Sequence, residues 1–340
     1  MTGAPLRLAA LLALLAASPA AASSQWGGSY PYPVPLGLQP PPVPDADPVT
    51  GAKVALGKTL FFDKRLSRDS TIACATCHDP QKGWTDQSPV STGIGGQKGT
   101  RSAPTVLNAA YMTRQFWDGR AASLEEQSLA PIENPVEMGF THAGVVRRLS
   151  GIAGYAPLFK DAFGDDRVTI ERVAMAIASF ERTVLSGNSP YDRWKAGDKG
   201  AMSPAAIRGY ALFEDPKRAN CAACHSGPDF SDSKFHNLGV GAGGTDEGRA
   251  AVTHDPADAY AFKTPTLRDL ADTAPYMHDG SKKTLAEVVD FYDDGGIKNP
   301  HRDPKIKPIG LSDAEQADLV AFLGALNGDP VRISAPPMPQ

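Results

Sequence analysis

Apolar residues along this 340-residue chain recur mostly at helical spacing. Ile170, Val173, Ala174, Ile177, Phe180 and Val184 fall on one face of a long amphipathic helix. Ser203 and Pro204 read as an N-cap followed by a first-turn proline, opening a helix that runs through Phe213. Ser123 with Glu126, Thr284 with Glu287 and Ser312 with Glu315 have capping-box spacing. Strand-like alternation is sparse and short. The pattern predicts a mainly α protein with long ordered loops and little strand. The polar stretch Ala196–Met202 is the candidate boundary between two mainly helical halves, 50–195 and 196–330, followed by a tail over 331–340.

Two N-terminal segments depart from this pattern. Arg7, the apolar run Leu8–Ala17 and the small residues Ala20, Ala21 and Ala22 have the form of a secretory signal peptide over 1–22. A membrane anchor is the alternative, but ten apolar residues cannot cross about 30 Å of hydrocarbon. Residues 23–49 follow as a proline-rich arm. Its 30–48 stretch, YPYPVPLGLQPPPVPDADP, is too rich in proline for helix or central strand and is expected to lie extended over the surface.

Composition sharpens the loop content. Thirty-three Gly and 30 Pro exceed the usual share, yet no G-X-Y period suggests collagen. With 41% hydrophobic residues and a net charge of only −4, wholesale disorder is excluded as well. The slightly acidic balance gives no footprint for nucleic acid or an anionic membrane surface, and no later stretch is apolar enough to span a membrane.

The four cysteines carry the first chemical signal. All fall in two copies of one pattern, Cys74-Ala-Thr-Cys77-His78 and Cys221-Ala-Ala-Cys224-His225. C-x-x-C-H attaches a c-type haem: two thiols on one turn form thioethers to the porphyrin, and the adjacent histidine reaches the iron. Zinc is the bland alternative, but its cysteine pairs usually lie about 15–20 residues apart, whereas these lie in opposite halves, each with its own histidine. The motifs therefore predict two covalently bound haem c groups, with no thiol left for a disulfide. A haem with two protein ligands mainly passes electrons, whereas an open face can bind peroxide. The remaining histidines are 142, 236, 254, 278 and 301, and none lies between His78 and His142.

Further motifs run in order from Gly51 to Phe322. They include LGKTLFFDKRLS (56–67), RSAPTVLNAAY (101–111), FWDGRAASLEEQ (116–127), PVEMGF (135–140), FKTPTLRDL (262–270) and APYMHDGSKKTLAEVVDFYDDGG (274–296). Together with the haem motifs they resemble the bacterial di-haem cytochrome c peroxidase superfamily, which includes the MauG type of protein-modifying enzyme. The resemblance implies two cytochrome-c-like helical domains in a periplasmic enzyme. The N-terminal haem would be peroxidatic and the C-terminal haem an electron relay, with Trp117 between them. Gln127 and Glu137 match the family's distal pair, which positions peroxide and moves its proton. Many cytochrome c peroxidases cap the first haem with a histidine from the 88–105 loop. Ile94 stands near that position here, which implies an open haem at rest. Fourteen residues after His278, where typical peroxidases have Met, this chain has Tyr292, as in the MauG type.

Tyr292 is therefore the expected second ligand of the C-terminal haem, with Met277 as the rival. A tyrosinate stabilises higher iron oxidation states than a thioether does. A calcium ion is also implied, held by the Thr273 and Pro275 carbonyls. Ser102 replaces the family's Asn at that site. The expected function is peroxide-driven formation of a high-valent di-haem state that oxidises a Trp or Tyr of a partner protein at long range. The alternatives are a peroxidase fed by a small cytochrome or cupredoxin, and a non-enzymatic di-haem electron carrier.

Overall fold

The computed structural model describes residues 30–340 together with Met1; the leader expected over 1–22 lies otherwise outside the described residues. Among these, eleven α-helices account for most of the regular structure. They are α1 (Gly51–Phe62), α2 (Cys74–Cys77), α3 (Leu124–Glu133), α4 (His142–Ser150), α5 (Tyr155–Phe163), α6 (Ile170–Glu181), α7 (Pro190–Lys195), α8 (Pro204–Glu214), α9 (Ala250–Thr253), α10 (Leu285–Asp293) and α11 (Asp313–Gly324). The strands β1 (Phe235–His236) and β2 (Phe262–Lys263) pair antiparallel, with Phe235 opposite Lys263 and His236 opposite Phe262. Helices dominate and strand is minimal, as the apolar spacing predicts.

Most helix starts follow the expected chemistry. Thr284 and Ser312 form complete capping boxes with Glu287 and Glu315, and Ser203 caps α8 through the Ala206 amide. At α3 the box is only half made. Ser123 accepts from the Glu126 amide, but the Glu126 carboxylate takes the Ala122 amide instead of that of Ser123. Helix α6 stops at Glu181, short of Val184. There the chain turns so that the Val184 carbonyl accepts from the Asn108 amide, 2.9 Å away. Val184 is fully buried nonetheless.

Each half is organised around one close helix crossing. In the first, α1 lies against α6 at Gly57, where a Cβ would overlap the Ala176 carbonyl oxygen. Leu56, Leu60, Phe61, Trp84, Ile177 and Phe180 build the core around it. In the second, α8 lies against α11 at Gly209, where a Cβ would overlap the Asp318 carbonyl oxygen. Phe213, Phe230, Leu319, Phe322 and Leu326 form that core. Glycine at the crossing lets two backbones approach closely.

The described part of the arm, from residue 30, and the C-terminal tail are both pinned across the molecule. The proline-rich arm runs extended, and the Leu36 carbonyl accepts from the Asn188 amide at 2.9 Å. Arg182 Nε donates to the Pro42 carbonyl at 3.3 Å. At the other end, the 331–340 tail returns to the first half. Trp84 Nε1 donates to Val331 O at 2.7 Å, and Arg65 Nη1 to Pro339 O at 2.9 Å. Between the two ends a buried Arg268–Asp192 pair, each side chain 2% exposed, ties α7 to the 266–268 loop.

Candidate haem sites and the residue between them

Helix α2 is a single turn, and it presents Cys74 and Cys77 to a cavity of about 450 Å³. His78 follows at its C-cap and lines the same cavity. The His78 Nδ1 faces the Trp84 carbonyl at 3.4 Å. The second motif turns as a short 3₁₀ segment over 221–223. It places Cys221, Cys224 and His225 on a second cavity of about 310 Å³. His225 Nδ1 faces the Phe230 carbonyl at 3.0 Å. A carbonyl partner fixes the proton on Nδ1 and leaves the Nε2 lone pair for a metal.

Burial lowers the pKa of both imidazoles, that of His225 to about 4, so each is neutral as a ligand must be. Burial likewise pushes the thiols up, Cys77 to about 11 and Cys221 to about 12. Neutral thiols on an apolar wall beside a free imidazole nitrogen fit a covalently attached haem, whose thioethers remove those ionisable groups.

The walls of the two cavities differ. Gln127 of α3 and Glu137 both line the first, together with Glu181 at the end of α6. Glu137 Oε1 accepts from Asn134 Nδ2 at 2.7 Å. Burial pushes its carboxyl up, while the Arg120 charge and the Asn134 bond pull it down. His78 is the only imidazole lining this cavity among the described residues. Ile94 is buried beside the 135–139 turn, its amide bonded to the Glu137 carbonyl at 2.8 Å.

The second cavity is walled by Phe213, Val288, Val289 and Leu323, and both Tyr292 and Met277 reach it. Burial, with the neighbouring cysteines, pushes the Tyr292 phenol up. A bound cation would reverse that penalty. Thr273 and Pro275 line this cavity, whereas Ser102 lines the first.

Trp117 belongs to both walls. Its Nε1 donates to the Ser102 carbonyl at 2.9 Å, and its own carbonyl accepts from the Lys263 amide at 2.7 Å. The residue is therefore held through its indole on one side and through its backbone on the other. His278 meets it edge-on at 6.5 Å and stacks on Phe262 at 3.6 Å.

Four features of the walls escaped the sequence motifs. Glu181 is 5% exposed, its Oε2 has no hydrogen-bond partner, and burial pushes it up to about 8. Arg120 sits inside a motif that draws attention to Trp117 instead. Burial brings the Lys263 ammonium down to about 8 beside the second cavity. His236 is held between Asp303 at 2.6 Å and Asp232 at 3.2 Å. With Cys224 and Asp232 it forms the one cluster of His, Cys and carboxylate groups at metal-binding spacing among the described residues. Cys224 belongs to the haem motif, so that cluster belongs to the haem site. The glycine run 239–248 is a loop whose Val240 lines the second cavity and whose Asp246 pairs with Arg101 at 2.6 Å.

Comparisons with known proteins agree with this construction. Residues 51–200 match the family described as di-haem cytochrome c peroxidase, and residues 206–327 match cytochrome c. Methylamine utilization protein MauG of Methylorubrum extorquens is 47% identical over 300 residues, which is 88% of this chain and 84% of the relative. Cytochrome c551 peroxidase of Nitrosomonas europaea is 38% identical over 302 residues, 88% of this chain and 86% of that protein. The crystal structure of a MauG-like protein associated with microbial copper homeostasis superposes with a TM-score of 0.81 at 33% identity. That match covers 88% of this chain and 96% of that one. With two haem-attachment cavities sharing one tryptophan, and with relatives this similar over most of their length, the chain belongs to the di-haem cytochrome c peroxidase family of haem-dependent, peroxide-using oxidoreductases.

Proposed function

We propose that this enzyme uses hydrogen peroxide at the His78 haem and draws the electrons, through Trp117 and the His225 haem, from an aromatic residue of a partner protein. The observation that carries the reading is Trp117 in the wall of both cavities. The haem supplies redox chemistry at each site when bound, and the residues around it divide the remaining work. Cys74, Cys77 and His78 hold the first group, and Cys221, Cys224, His225 and Tyr292 the second. Glu137 takes the proton from the inner oxygen of peroxide and returns it to the leaving oxygen, while Gln127 orients the molecule. One haem belongs to each half, 50–195 and 196–330. Calcium between the halves, on Thr273 and Pro275 with Ser102 nearby, and a periplasmic location complete the proposal.

Tyr292 on the relay cavity favours protein oxidation over detoxification of peroxide with a small electron donor. So does the absence of a second imidazole on the first cavity among the described residues. The test is addition of peroxide to the diferric holoprotein, followed optically and by EPR. A long-lived oxidised species in wild type, and a relay haem altered by Tyr292→Phe, support the reading. No reaction until one haem has been reduced would assign the protein to the detoxifying peroxidases. Two six-coordinate low-spin haems at rest, inert to peroxide, would make it an electron carrier.

A further inference from the structure

The first cavity has a proton-exchanging carboxyl at Glu137, but peroxide cleavage also sends negative charge onto the leaving oxygen. Three cationic side chains line this cavity: Lys98, Arg101 and Arg120. Arg101 is engaged through all three of its nitrogens. It holds Asp246 through Nε and Nη2, at 2.7 and 2.6 Å, and Asp118 through Nη1 at 2.7 Å. Lys98 is exposed and bonds to Thr92.

Arg120 is different. Of the five N–H donors on a guanidinium, it commits only one, from Nη1 to Asp118 Oδ2 at 2.9 Å, among the described residues. That carboxylate is shared with Arg101, so it neutralises Arg120 only in part. The guanidinium carbon lies over the Phe116 ring, 3.5 Å from its centroid, a cation–π contact that helps hold it in place. Its side chain is 39% exposed, which places it at the mouth of the cavity, not its floor. Its charge also reaches Glu137, opposing the rise that burial imposes on that carboxyl.

We propose that Arg120 is a catalytic residue of the first cavity, binding the anion that forms as the O–O bond of peroxide breaks. This rests on the peroxide reading above. Glu137 accepts the proton of the inner oxygen. The O–O bond then breaks with its electron pair going to the outer oxygen, against the uncommitted N–H groups of Arg120. The leaving hydroxide takes the proton back from Glu137 and departs as water. The guanidinium is neither consumed nor deprotonated. The inner oxygen is reduced by two electrons drawn from the partner and takes up two protons as the second water, so that one peroxide, two protons and two electrons give two waters. Preorganised donors at a developing oxyanion are worth about 10²–10³ in rate when one is removed.

The test uses holoprotein of wild type, Arg120→Gln and Arg120→Lys with both haems incorporated. Two measurements are made: the rate of reaction of the diferric protein with peroxide, and the affinity of the first haem for fluoride and for imidazole. Expected is a rate loss of about 10²–10³-fold in Arg120→Gln, partly restored in Arg120→Lys. Fluoride affinity should fall at least about tenfold, some 1.4 kcal/mol, with imidazole affinity unchanged. An equal loss for anion and neutral ligand, or no change in either, would overturn the proposal by leaving Arg120 a structural role. If wild type does not react with peroxide while the fluoride selectivity still depends on Arg120, the peroxide reading fails and the anion site stands.

Discussion

Around His78 the cavity wall carries Glu137, Glu181, Asp118 and Gln127, whereas no carboxylate lines the cavity around His225 among the described residues. The charged groups of the second wall are cations, with Lys263 held low by burial. The two sites share a haem-attachment turn, a carbonyl-anchored histidine and a glycine crossing in the core beneath. They differ in whether a carboxylate is at hand to exchange a proton. Peroxide chemistry needs that exchange and simple electron transfer does not. The comparison thus assigns different tasks to two sites built on the same plan.

Removing the carboxyl at Glu137 should have the largest effect. Glu137→Gln keeps the shape and the Asn134 contact but loses the proton acceptor, so the reaction of diferric protein with peroxide should slow by about 10²–10⁴-fold. The relay haem's spectrum should not change. A wild-type rate measured by stopped flow in that variant would erase the asymmetry between the cavities. Trp117→Phe comes next, because it leaves both cavities intact and alters what joins them. Peroxide should still react at the first haem, while oxidation of the partner slows by at least about tenfold, ~1.4 kcal/mol of barrier. Equal slowing of both steps would show that Trp117 matters for folding of the wall and not for the link.

The shared plan is tested by the helix crossings. Gly57→Ala and Gly209→Ala each place a Cβ onto a carbonyl of the facing helix. Each should cost about 1–3 kcal/mol as overpacking, set against a gain of up to about 1 kcal/mol in helix propensity. Thermal unfolding of the two variants should show similar losses. A large loss at one and none at the other would mean that the halves do not depend on equivalent crossings.

What the sequence made legible is mostly what covalent chemistry forces to be contiguous. Cysteines and the histidine must share one turn to hold a haem, so CxxCH reads directly. Helix starts were legible for the same reason, since a cap and its partner lie three residues apart. The wall residues are otherwise. Glu181 reaches the first cavity because α6 packs under it, and His236 meets Asp303 across 67 positions. Arg120 stood in view inside FWDGR, but that its Asp118 partner is shared with Arg101, itself held by Asp246 145 positions away, is set by tertiary packing. Local pattern carries no record of such pairings. Trp117 and Tyr292 became visible only through resemblance to a family, and single aromatics on a helical or looped stretch carry no signal of their own.

Glu181 probes the same contrast through the pH dependence of stability. Burial raises this carboxyl from 4.5 to about 8, with Glu125 adding to the rise and Arg182 opposing it. Below pH 4.5 the carboxyl is protonated in both folded and unfolded chains and costs nothing. Between pH 4.5 and 8 the unfolded chain releases the proton while the folded one retains it, so stability is lost as pH rises through that window. Above pH 8 the penalty stays constant. Glu181→Gln carries no such proton. Its thermal midpoint should match wild type near pH 4.5 and rise steadily above it toward pH 8, by roughly 2–4 °C for each kcal/mol. A midpoint difference that does not change with pH would mean that Glu181 is already ionised in the fold. The first cavity would then hold one more charged carboxylate, and proton exchange there would rest on Glu137.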